Sequence, residues 1–131
     1  MAEFNDVVLT APEAHNEAMA LSVRDVVRQL EDLLGATAVA SIAGVKETRA
    51  VQQWINGMRE PQRPHVLRFA LQIALMICTL TSRELARAWF HGANPMLGDR
   101  VPLALLRDQP LDSVQVPIMS AARAFAARAA S

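Results

Sequence analysis

Tyrosine is absent from this sequence, cysteine and lysine occur once each, and there are only five glycines. The single cysteine, Cys78, excludes an internal disulfide framework and any multi-cysteine zinc or iron–sulfur site. Few glycines and few aromatics (5%) argue against a β-sandwich or barrel. The longest apolar run, residues 73–78, falls far short of the roughly 18–20 residues that span a bilayer. Residues 1–9 are acidic and lack a basic-then-apolar signal pattern, so a cytoplasmic protein without membrane association is expected. Neither charge is in excess. Thirteen basic and thirteen acidic residues cancel, which excludes a generally polycationic nucleic-acid binder but permits a local basic face.

What the chain has is Ala, Leu and Arg, a bias that favours helix, and its 131 residues are enough for one domain with a real core. The charge is unevenly spread. Residues 1–32 hold seven acids and two bases. Residues 46–68 hold Lys46, Arg49, Arg59, Arg63 and Arg68 against Glu47 and Glu60, and residues 81–131 hold six bases and four acids. A mildly basic centre and tail therefore follow an acidic leader.

Residues 1–20 show little periodicity and predict a mobile arm with a short helix after Pro12. Ser22 opens a capping-box-like start, with Asp25 in place of Glu, and Val23, Val26, Val27, Leu30, Leu33 and Leu34 follow at helical spacing to Gly35. Short helices are predicted over 37–43 and 47–55. Pro64 starts a helix to about residue 80 that is apolar nearly all round, hence central. Thr81 or Ser82 caps another through Phe90. A loop over 92–102, a helical turn over 103–107, an irregular stretch between Pro110 and Pro117, and a final helix over 118–130 complete an all-α, compact multi-helix domain.

Residues 36–57 have the pattern of a helix-turn-helix. Such a unit needs a small residue in the first helix, a glycine in the turn, and apolar residues on the inner face of the second. Ala40, Gly44, Val51 and Trp54 meet those needs, and Gly57 closes the second helix. Lys46, Thr48, Arg49, Gln52 and Gln53 are left outward, with Arg59 and Arg63 beyond; these types reach phosphates and base edges, so all seven are DNA-binding candidates. The run Val51, Trp54, Gly57, Pro61 resembles the end of the recognition helix of Xre-type repressors, with a Gly44–Gly57 gap one residue longer than in the phage-repressor version.

Further on, Trp89 is followed by Asn94-Pro95, Leu97-Gly98 and Pro102-Leu103 with Leu106. Together with the helix-turn-helix, this series resembles the Xre/MbcA/ParS-like antitoxin family over roughly residues 23–125. The stretch after residue 107 departs from the family: it carries Pro110, Pro117 and an Ala/Arg helix. The resemblance implies an antitoxin of a type II pair that covers the active site of a RES-domain toxin, an NAD-consuming enzyme, and represses its own operon. It divides the chain into an arm (1–20), a helix-turn-helix-containing core (21–80) and a toxin-binding-like region (81–131). Candidates for the toxin contact are Arg107, Met119, Arg123, Phe125, Arg128 and Ser131. Expected partners are the RES-like toxin, operator DNA, and further copies of the chain in a homo- or hetero-oligomer.

No catalytic constellation is visible. Cys78 sits in the most apolar segment, the three histidines are far apart, and no P-loop, HExxH or GxSxG motif occurs. Neither enzymatic activity nor a metal or cofactor is expected. Two alternatives stand beside the antitoxin: a stand-alone helix-turn-helix transcriptional regulator, and a protein-only adaptor with a degenerate helix-turn-helix.

Overall fold

The computed structural model describes residues 11–130. It is all-α, with α1 (Ala11–Ala20), α2 (Val23–Leu34), α3 (Ala36–Ala43), α4 (Arg49–Ile55), α5 (Pro64–Leu80), α6 (Arg83–His91), α7 (Pro102–Asp108) and α8 (Leu111–Ala130), plus a 3-10 turn at Pro95–Leu97. A helix that is apolar all round must be enclosed. Eleven of the residues of α5 are buried, and α1, α2, α3, α6 and α8 all pack against it. Among the described residues no helix is long and apolar enough to cross a membrane.

The local signals act as their chemistry predicts. Ser22 and Ser82 cap α2 and α6, their side chains accepting from the Asp25 and Leu85 amides at 3.2 and 3.1 Å. Val26, Val27, Leu30, Leu33 and Leu34 form the buried stripe of α2.

Two expectations are corrected. The short helix expected after Pro12 runs from Ala11 to Ala20, and it is docked, with Ala14 and Ala18 buried against α5. Residues 1–10 of the expected arm lie outside the described residues. Alanines on this face carry too little apolar area to announce that packing by hydrophobic period. The last helix starts at Leu111, not 118, and runs through Pro117. An interior proline costs about 3 kcal/mol. Pro117 faces solvent, and the stripe of Val114, Ile118, Ala121 and Ala122 is buried across it. Burying Ile118 alone is worth about 1.5–3 kcal/mol, so packing offsets the lost bond.

The arginines have a recurrent structural use. The last carbonyls of a helix have no partner within it and carry its negative dipole end, so a guanidinium from elsewhere suits them. Arg68 donates to the Ala18 and Leu21 carbonyls at the end of α1. Arg83 and Arg87 reach Asp32 and Leu33 at the end of α2. Arg63 meets Ile42 in α3 and Leu106 and Arg107 in α7. Arg24 donates from Nε to Ile55 at the end of α4. Five helices are thus tied at their C-termini by arginines from other elements.

Candidate functional site

The segment from α3 to α4 is shaped by two glycine-centred stops. Gly44 is left-handed (φ +81°). Its N–H donates to the Ser41 carbonyl and the Val45 N–H to Ala40, the paired bonds that close a helix end sharply. Gly57 (φ +77°) repeats the device, with its N–H on Trp54 and the Met58 N–H on Gln53. Between them α4 begins at Arg49, two residues later than predicted. Its first bonds, Ala50 N–H to Glu47 and Val51 N–H to Thr48, are three-residue steps. The connection between the two helices is thus residues 45–48 with Gly44. Val51 and Trp54 face the core and α4 packs on α2 and α3, while Lys46, Thr48, Arg49 and Gln52 are exposed and Gln53 is half-buried.

Charge on this face is smaller than the sequence suggests. Of the five bases in residues 46–68, Arg63 and Arg68 are drawn inward onto helix-end carbonyls. Arg63 thus leaves the groove-facing set: its guanidinium is half-buried between α3 and α7. Lys46, Arg49 and Arg59 remain exposed against Glu47 and Glu60. Arg49 lies 3.6 Å from Glu47, and Gln52 donates to the Glu31 carboxylate at 2.9 Å. From α2, Glu31 adds a carboxylate and Arg24, which donates to Ile55 at the end of α4, adds a guanidinium, so the patch is close to neutral.

The motif around Asn94 folds as its residue types require. Asn94 accepts from the Met96 amide with its side chain, Pro95 starts the 3-10 turn, and Gly98 takes a left-handed conformation. Asp99 follows at φ +63°, its amide donating to the Asn94 carbonyl. Leu97, Pro102 and Leu106 are buried and Leu103 half-buried, which pins the loop and α7 to the core.

Trp89 is buried with its ring edge-on to Phe90, centroids 5.2 Å apart, and its Nε1 has no acceptor among the described residues. It borders a groove of about 300 Å³ between α6, the Asn94 loop and the end of α8. Leu85 (41% exposed) and Met96 (55% exposed) stand in that groove beside Phe125 and Arg128.

The six toxin-contact candidates do not form one patch. Phe125 and Arg128 share the Trp89 groove. Met119 and Arg123 sit on another side of α8, in a concavity with His15, Phe69 and Val116. Arg107 is remote from both: it lies on a cleft beside α4 and forms a two-point pair with Asp108 at 2.7 and 2.8 Å. Ser131 lies outside the described residues. The pairing with Arg107 holds the Asp108 carboxyl below its usual range. Sequence reasoning missed Leu85, Met96, Glu31 and Arg24. Leu85 and Met96 become neighbours of Phe125 only through tertiary packing, so no local pattern marks them.

Elsewhere, Cys78 is buried, and burial pushes its thiol up. His91 Nδ1 lies 2.9 Å from the Arg87 carbonyl in its own last turn. Among the described residues no group of His, Cys, Asp or Glu gathers as a metal site. Comparison with family models, with curated proteins and with solved structures finds no match to this chain.

Proposed function

We propose that this chain is an antitoxin that neutralises a RES-type, NAD-consuming toxin by steric cover, with no chemistry of its own. One observation carries the proposal. Trp89, Asn94 and Pro95, from the series that resembles the antitoxin family, line a single groove with Phe125 and Arg128 of α8 and the exposed Leu85 and Met96. Residues far apart in sequence meet on one accessible, largely apolar surface. Exposed apolar side chains grouped at a groove suit a protein partner. The outward side chains of α4 itself argue in the same direction: Arg49 lies beside Glu47 and Gln52 is held by Glu31, so they offer few phosphate contacts.

Co-expression with the product of the adjacent gene tests the idea. A stable complex and relief of growth arrest are expected. Leu85→Glu with Met96→Glu abolishes both, since each charge is buried unpaired at the contact. Failure of the unmodified chain to capture or silence the toxin rejects the proposal.

The second reading, autorepression through a helix-turn-helix at α3–α4, is favoured by the two glycine stops, which hold Thr48, Arg49 and Gln52 outward. A mobility shift on its own promoter region tests it. Arg49→Ala with Gln52→Ala should weaken binding at least tenfold, as for losing one good base contact of about 1–3 kcal/mol and one phosphate contact. Unchanged binding in that variant removes α4 from the interface.

A further inference from the structure

A cleft of about 500 Å³ lies between α4, the loop over 56–63, and the end of α7. Three guanidinium groups border it, those of Arg59, Arg63 and Arg107, with Glu60 as the one bordering carboxylate. Their positive charge is only partly met. Arg59 is exposed and its guanidinium has no acceptor among the described residues. Arg63 donates to backbone carbonyls, and its charge also acts on the Asp108 carboxylate. Arg107 pairs with that same Asp108, so three guanidinia share two carboxylates, Glu60 and Asp108. Gln53 and Gln62 add neutral donors, and Val45 and Trp54 give the cleft an apolar floor.

We propose that this cleft binds a phosphate group. Arginine forks match phosphate oxygens in pairs, and several guanidinia around one cavity call for a group with more than one charge and more than two acceptor oxygens. A lone carboxylate supplies neither and fills little of the space. The phosphate has two sources, a small phosphorylated ligand or the backbone of DNA lying across α4. Arg107, which the family resemblance points toward a toxin, is then a phosphate ligand. The assignment does not depend on the antitoxin reading, because it concerns a different face from the Trp89 groove.

Trp54 borders the cleft, and the chain has only one other tryptophan, so a Trp89→Phe background makes Trp54 the sole indole reporter. The probes are inorganic phosphate, acetate as control, and a short DNA duplex of arbitrary sequence. Arg59→Gln and Arg107→Gln change exposed side chains, and far-UV circular dichroism checks that they stay folded. Arg123→Gln, an exposed change on α8 beside a different concavity, is the reference. Saturable binding of phosphate, weakened about tenfold by each cleft variant and not by Arg123→Gln, supports the proposal with a small ligand as source. Binding of the duplex alone, with the same loss and a salt slope reduced by about one per variant, supports it with DNA as source. Equal response to acetate, no response to either phosphate probe, or binding indifferent to Arg59 and Arg107 overturns it. Duplex binding that depends on Arg49 and Gln52 but not on Arg59 and Arg107 overturns the cleft assignment and leaves the α3–α4 reading standing.

Discussion

Arg63 Nη2 donates to the Leu106 carbonyl at 2.9 Å, joining the segment before α5 to the end of α7. Its Nη1 also reaches Ile42 and Arg107, so one side chain ties three segments. Arg63→Ala should destabilise the fold by about 2 kcal/mol, since hydrogen bonds from a charged group are worth about 1.5–3 kcal/mol and these are partly exposed. Arg63→Lys should recover little, because a single ammonium does not reproduce the planar fork. Urea unfolding checks this. A fully stable Arg63→Ala rules out the tie.

Gly57 and Arg24 are a second coupled pair. A Cβ on Gly57 meets the Arg24 guanidinium at 3.2 Å, and the backbone there is at φ +77°. Gly57→Ala should cost about 1–3 kcal/mol. In an Arg24→Ala background the crowding term disappears and the backbone term stays, so the penalty shrinks without vanishing. Equal penalties in both backgrounds mean that the guanidinium yields freely.

Pro117 is exposed inside α8. Pro117→Ala restores a backbone donor and loses no packing, so stability should rise by about 1–3 kcal/mol. If the helix began at 118, as the sequence predicts, the same change would do nearly nothing. Thermal unfolding distinguishes the two.

Cys78 gives a pH signature. Burial is the main cause holding its thiol above the ordinary value; Arg83 pulls down, and Glu84 and Asp32 push up. Between the unfolded and folded values the native state holds a proton that the unfolded chain has released. Stability therefore falls as pH rises above the ordinary thiol value of about 8.5. With no tyrosine and one lysine, few other side chains titrate there. Cys78→Ala should flatten the alkaline slope of the urea midpoint. An identical slope in both proteins assigns the effect elsewhere.

How legible the fold was in the sequence depends on side-chain size. α2 and α5 could be read because Leu, Ile and Val recur on faces wide enough to dictate burial. For α1 only a short helix after Pro12 could be read, and its docking on α5 could not, because Ala14 and Ala18 fill a close contact with almost no hydrophobic signal. The start of α8 was hidden by Pro117, whose local preference is overridden by burial on both sides of it. The candidate site divides in the same way. Gly44 and Gly57 were visible because left-handed backbone needs glycine. Arg63 was not, because an arginine aimed at a carbonyl and one aimed at solvent are the same letter. Trp89, Asn94 and Pro95 were found through their order along the chain, and Leu85 and Met96 only through folding.

The arginine–carbonyl ties at the ends of α1, α2, α3, α4 and α7 join a guanidinium to a neutral amide oxygen, so no carboxylate takes part in them. Acid that protonates carboxylates and dissolves ordinary ion pairs leaves these contacts intact. The internal ties are consequently insensitive to acid, while a surface carboxylate contact such as Asp108 with Arg107 is the kind that proton concentration rewrites.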